Sequence, residues 1–312
     1  MADHETAPEG DATPPVPVPP AGTEGPVSST AEGEKTLVRK KPAPAFRARS
    51  LRLTADRGPV YGPLDLDIET GALTVLHGPQ GTGRTSLLLT LAGRMVPDRS
   101  STELTALGQN LLGRRSSRAR TRVQRLVGIA SFRSIDDLDD SVTVGDVLRE
   151  RLGWLTPWYR PVRRISADRY RALAAAVFGD RDLPPLGTVL WNLDEIDEFL
   201  LRVVLATAQR PRAVVVDDVD RVHDAERRRI VWDRLAALAA TGVTVVASAA
   251  APPPPGTATA VALAPVGPGA SASPSGSTGG GKSPERARPR PSSSTPSSTS
   301  PSSTTDAPEV SA

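Results

Sequence analysis

Two short stretches of this 312-residue chain carry groups that can do chemistry together. The first is Gly78-Pro79-Gln80-Gly81-Thr82-Gly83-Arg84-Thr85-Ser86, set between the apolar run LTVL (73–76) and the Leu-rich SLLLTLAG (86–93). A phosphate-binding loop reads G-x-x-x-x-G-K-[ST] between a strand and a helix, and every part is present except the lysine, which is Arg84. Glycines at this spacing let backbone N–H groups close on phosphate oxygens, and the helix N-terminus adds a positive end. The Thr85 hydroxyl is the candidate ligand for Mg²⁺. Arg84 keeps the positive charge and can fork onto phosphate oxygens, although its bulk makes it no simple replacement for lysine. The second stretch is PRAVVVDD (211–218). A buried strand ending in acid presents a carboxylate at the edge of the sheet where doubly wound folds bind ligands. Asp217 is the candidate to hold Mg²⁺ through water, and Asp218 is the candidate base for an attacking water. Alone, PRAVVVDD reads more simply as a strand ending in two solvated acids; a phosphate loop upstream favours the metal.

Strands and helices must alternate to hold these two ends side by side. Residues 51–56 and 64–68 alternate apolar with polar, as half-buried strands do. Gly71 gives a turn before the buried LTVL, and 86–95 continue from the loop as a helix. Helical patterns recur near 143–152, 165–178, 193–209 and 224–240, with strand-like runs at 126–132, 213–217 and 243–248. The alternation predicts an α/β fold with a mostly parallel sheet flanked by helices.

Composition assigns the ends of the chain to something else. Nine of the 31 prolines lie in residues 1–45 and thirteen in 252–312, which argues against packed structure at either end. Residues 1–34 hold seven acids and no Lys or Arg, whereas 35–57 hold eight basic residues and one acid, Asp56. That basic segment reads as a solvated flank, with contact to acidic lipid or nucleic acid as the sharper alternative. The net charge of +3 is too small to argue for nucleic acid. Without cysteine there is no disulfide framework and no thiolate metal site. No secretory signal is evident in the first thirty residues. The long apolar stretch LAALAATGVTVVASAAA (235–251) is broken by Thr241-Gly242 and stopped by prolines, so it reads as a helix end, a turn and a buried strand. A cytoplasmic protein is expected.

The order of these features resembles the nucleotide-binding subunit of an ABC transporter, an ATP-binding cassette, over about residues 46–265. GALTVLHGPQGTGRTSLLLTLAG resembles the Walker A segment and PRAVVVDD the Walker B segment. SVTVGDVL (141–148) resembles the entry to the helical subdomain, Asp224 falls at the D-loop aspartate, and GVTVVAS (242–248) resembles the strand before the switch histidine. The resemblance implies a P-loop NTPase core with a helical subdomain at about 133–208, a disordered arm (1–45) and a disordered tail (266–312). It also implies ATP and Mg²⁺ as cofactors and residues 78–86 as the nucleotide cradle. An integral membrane permease-like protein would be the partner, with a second cassette as a heterodimer partner and no nucleic acid. The location implied is cytoplasmic, on the inner face of the plasma membrane.

Departures from the family are as informative. Phe132 stands where the family has its Q-loop glutamine, Ala249 where it has the switch histidine, and Asp218 where it has the general-base glutamate. The position of the LSGGQ signature is Leu193-Asp194-Glu195-Ile196-Asp197, whose carboxylates would repel a triphosphate. LDEID reads better as a helix start, with Asn192 and Glu195 forming a capping box. The adenine-stacking aromatic aligns near Ala55, leaving Tyr61 as a weak substitute. His223 reads as a solvated histidine, and GWLTPWYRPVRR (153–164) either docks a partner or packs as satellite core. Two functions follow: a slow ABC-type ATPase subunit serving a membrane protein, or a non-hydrolytic cassette that binds ATP as a regulatory or assembly module. A nucleic-acid-associated cassette rests on the arginine runs alone.

Overall fold

The computed structural model describes residues 43–113, 116–161 and 164–266. The expected arm and tail lie outside the described residues except at their inner ends, where Ala45 is buried and donates its N–H to the Ile68 carbonyl at 2.7 Å. A pair of long strands comes first, β1 (Phe46–Ala55) and β2 (Gly58–Ile68), paired antiparallel. β3 (Leu73–His77) follows and leads through the glycine loop into helix α1 (Arg84–Leu91). Strands β4 (Glu103–Ala106) and β5 (Gln109–Asn110) come next, then helix α2 (Ser116–Leu126) and strand β6 (Val127–Ala130). Three helices occupy the middle of the chain: α3 (Val144–Leu155), α4 (Ala167–Phe178) and α5 (Glu195–Thr207). The chain returns to the sheet with β7 (Ala213–Val216), helix α6 (Ala225–Ala240), β8 (Thr244–Ala249) and β9 (Thr259–Ala262).

Two sheets result. Five strands form a wholly parallel sheet in the order β6-β7-β8-β3-β9, and four form an antiparallel one in the order β2-β1-β4-β5. The central strands of the parallel sheet are covered on both faces, so β7 is AVVV with every residue buried. One core packs that sheet against α3, α4, α5 and α6, through residues such as Val214, Leu200, Phe178 and Trp232. A second core lies between the two sheets and takes in α1 and α2, with Leu76, Val246, Leu87, Leu88 and Val123 meeting Phe46 and Leu104. Both sides of α1 are thereby fixed, and the glycine loop that begins it inherits that rigidity.

Local sequence explains the helix ends. Thr143 caps α3 in a full capping box with Asp146, and Asp224 caps α6 by accepting the Arg227 N–H at 2.9 Å. At α5 the cap is Asp194, whose Oδ1 accepts the Ile196 N–H at 2.9 Å, and not Asn192 as the sequence suggested. Asn192 instead ends a short 3₁₀ turn, Leu190–Asn192, so the helix starts two residues later. The C-terminal end of α5 lies hard against β6: a Cβ added at Gly128 would stand 2.6 Å from the Ala206 carbonyl oxygen, which leaves no room there for a side chain. No described helix is long and apolar enough to cross a membrane.

Candidate functional site

Strand order brings the two chemical stretches together. β3 carries the glycine loop at its C-terminal end, β7 carries Asp217 and Asp218 at its own, and β8 lies between them. Register aligns Val216 with Ala247 and Leu76 with Ser248, so all three strand ends open onto one edge. The cleft at that edge measures about 460 Å³ and is lined by Gln80 to Thr85, Arg133, Asp217, Asp218 and Ser248.

The loop takes the backbone form its glycines permit. Gly81 and Gly83 adopt φ of 85° and 77°, a region that costs an L side chain but not glycine. Gly83 is also packed so closely that a Cβ there would sit 2.4 Å from the Val60 carbonyl oxygen. Gly78 opens the loop with no room either, a Cβ there falling 2.4 Å from the Leu263 carbonyl oxygen. Thr82 is buried and donates its hydroxyl to the Pro79 carbonyl at 2.9 Å, closing the loop on itself. Pro79 and Gln80 form its outer turn, and Arg84, Thr85 and Ser86 begin α1.

The structure sets Thr85 and Asp217 face to face: the Thr85 hydroxyl donates to Asp217 Oδ2 at 2.7 Å. Asp217 is 5% exposed, and its other oxygen accepts the Ser248 hydroxyl. Burial pushes the Asp217 carboxyl above its ordinary range, opposed by the hydrogen bonds from Ser248 and Thr85. A hydroxyl and a buried carboxylate in contact form an oxygen donor pair suited to Mg²⁺.

Asp218 departs from the sheet at φ 50° and ψ 61°, a left-handed conformation uncommon for a residue other than glycine. Its N–H donates to Ser248 Oγ at 2.9 Å, and its carboxylate lies 3.4 Å from Arg133 Nη2. Ser248 thus fastens both acids, a role the sequence did not disclose. Its signal was a polar residue near the end of an otherwise apolar strand.

Arg84 has its Nη1 buried without a hydrogen-bond partner. The nearest carboxylate, Asp220 Oδ2, stands 3.9 Å away and is itself shared with Arg228 and the Ala250 N–H. A buried, unpaired donor beside a glycine cradle is an energetic liability unless a ligand completes it. The residues present therefore fit a phosphate bound in the loop.

One further sequence expectation, that for Tyr61, is corrected, and the other residues singled out in the sequence find their places. Tyr61 is 1% exposed and donates its hydroxyl to Thr90 Oγ1 at 2.7 Å, so it offers no face to a base. Phe132 is fully buried in the core between the sheets, and Ala249 is buried as well. His223 is 87% exposed, yet its Nδ1 lies 2.5 Å from Glu195 Oε1. The acids of LDEID do not stand free: Arg181 holds Asp197 at 2.6 Å, and Arg227 holds Asp194 at 3.1 Å. Trp154 and Trp158 are 79% and 95% exposed, which excludes satellite core packing for them.

No family model matches the chain. Short segments match curated proteins. A cytochrome c biogenesis ATP-binding export protein, CcmA, of Xanthomonas campestris pv. campestris (strain 8004) is 40% identical over 50 residues, 16% of this chain and 23% of that protein. A hemin import ATP-binding protein, HmuV, of Plesiomonas shigelloides is 45% identical over 47 residues, 15% of this chain and 18% of that protein. The match thus spans less than a quarter of the length of these relatives. Among solved structures, cbiO1 of Clostridium perfringens, part of the ABC transporter complex cbiONQ, superposes with a TM-score of 0.52 at 15% identity, covering 67% of this chain and 78% of that one. A dimeric bacterial ABC transporter cassette superposes with a TM-score of 0.52 at 18% identity, covering 70% and 94%. The chain has the α/β fold of an ABC transporter ATP-binding cassette, a P-loop NTPase fold, as its motifs implied.

Proposed function

We propose that this chain, folded as an ATP-binding cassette, is the ATP-binding subunit of an ABC-type system, that it binds Mg·ATP, and that it hydrolyses it slowly in the service of a membrane partner. The observation that carries the proposal is Arg84 Nη1, buried without a hydrogen bond beside the glycine cradle, in one cleft with the contact between Thr85 and Asp217. Residues 78–86 would receive the phosphates, with Arg84 reaching the outer ones. Thr85 and Asp217 would hold Mg²⁺, whose charge would neutralise the oxygens of the transferring phosphoryl group. Asp218 would orient the attacking water.

Slow turnover follows from the side chains around that water. Asp218 is one methylene shorter than glutamate and is already drawn towards Arg133. No polar group comes from Phe132 or Ala249, whose side chains are apolar and buried. The same observations favour the second reading, a cassette that binds ATP as a regulatory or assembly module without useful hydrolysis.

At α5, Asp194 takes the helix N-terminus for itself. That end would therefore serve a second nucleotide poorly, and a different cassette is the better partner for a shared site. The exposed Trp154 and Trp158, on and just beyond α3, suit contact with a membrane protein. Isothermal calorimetry with Mg·ATP and a phosphate-release assay test the proposal together. Binding with turnover below about 10 per second is expected; faster turnover by the isolated chain overturns the slow reading, and no binding overturns both readings.

A further inference from the structure

Arg133 enters the reading above only as the group that draws Asp218 aside, yet it lines the same cleft as the glycine loop. Its position is built by the fold. β6 and β7 run parallel in register, Ala130 beside Val216, and the Asp217 N–H donates to the Ala130 carbonyl at 2.9 Å. The turn after β6 is therefore held alongside the turn after β7. Phe132 anchors it by inserting its ring into the core, so its neighbour faces outward. Carboxylates brace both flanks: Asp136 accepts the Ser131 N–H at 2.6 Å, and Asp137 accepts the Ser134 N–H at 2.7 Å. The Arg133 side chain is 74% exposed, and Asp218, 3.4 Å away, is its one ion-pair partner among the described residues.

We propose that Arg133 is a specificity residue that reads the terminal phosphate of the bound nucleotide, exchanging its contact with Asp218 for one with that phosphate and thereby favouring a triphosphate over a diphosphate. The inference rests on the nucleotide-binding reading of the cleft. Two cations line the cleft: Arg84 from the first turn of α1, and Arg133 from beyond β6. A phosphate chain seated in the glycine loop passes Arg84 first. Only its outermost group extends towards the ends of β6 and β7, where Arg133 waits beside Asp218. A guanidinium binds a doubly charged phosphate more strongly than it binds Asp218, because the phosphate carries the larger charge and can take both prongs of the fork, whereas Asp218 is reached by Nη2 alone at 3.4 Å. Its exposure keeps the side chain free to make the exchange. In the diphosphate complex no such group is present, and Arg133 stays with Asp218.

The test is the ratio of affinities, measured by calorimetry on the full chain with Mg·ATP and with Mg·ADP. Arg133→Ala should weaken Mg·ATP on the order of tenfold, as loss of a charged hydrogen bond does, and should leave Mg·ADP within about twofold. Arg133→Lys keeps the charge without the fork and should recover part of the preference. Equal losses for both nucleotides, or no loss for either, overturn the inference while the cleft remains a nucleotide site. If the unaltered chain binds neither nucleotide, the underlying reading fails and this inference with it.

Discussion

The glycine-loop end of the cleft and the N-terminal end of α5 are both places where an ATP-binding cassette would meet phosphate, and they are built on opposite plans. In the loop, a guanidinium nitrogen is buried without a hydrogen bond, glycines stand where no Cβ fits, and one serine joins the Asp217 carboxylate to the Asp218 N–H. At α5, every acid of LDEID has a partner within the chain. Asp194 caps the helix and meets Arg227, Glu195 meets His223, and Asp197 meets Arg181. Among the described residues Arg84 Nη1 is one of seven buried side-chain polar atoms without a hydrogen bond, and the one that lies in the glycine loop. The first region has kept groups for a ligand; the second has used its groups on itself.

The largest expected effect tests the loop. Arg84→Ala should weaken Mg·ATP by tenfold to a hundredfold, about 1.5–3 kcal/mol, and should change the melting temperature little, because Nη1 contributes no internal hydrogen bond. Calorimetry and thermal denaturation on one preparation separate the two quantities. A large loss of stability with unchanged affinity would make the loop a turn and erase the contrast.

A smaller effect of the opposite kind is expected at α5. Asp194→Ala removes a cap and two ion pairs, at a cost of about 1 kcal/mol, while Mg·ATP affinity stays the same. The ion pairs add little because the Asp194 side chain is one-third exposed. A change in affinity greater than fivefold would place that helix end in the chain's own nucleotide site.

The smallest expected effect is an absence. With Asp194 occupying the helix end and its neighbours paired, saturating Mg·ATP should leave the sedimentation coefficient of the isolated chain unchanged. A dimer appearing with ATP would show that α5 accepts a second molecule's phosphate and would break the comparison at its weaker side.

What could be read in the sequence was whatever depends on neighbours along the chain. The glycine loop, the buried AVVV and the acids after it carry their own evidence, since a buried apolar run that stops at glycine or aspartate marks a strand end. Thr85 and Asp217 could be paired because the loop and the strand share one recurring layout. Arg133, Ser248 and Asp220 could not, because their roles come from which strands lie side by side. Tyr61 was misread for the same reason: only the packing of β2 against α1 shows that its hydroxyl belongs to Thr90. The capping shift from Asn192 to Asp194 came from a 3₁₀ turn that local propensity does not separate from a helix start.

The absence of a side chain at Gly128 has a mechanical consequence. Because β6 and the end of α5 touch backbone to backbone at Ala206, that crossing has no compliant layer of side chains and acts as a pivot. If α3, α4 and α5 swing against the sheet, displacement would be least at Ala206 and would grow along α5 towards Glu195. The far end of α5 is where Glu195 meets His223 and where Arg227 reaches Asp194 from the first turn of α6. Those surface ion pairs would stretch first, while the strand that ends beside Phe132 and Arg133 would keep its place.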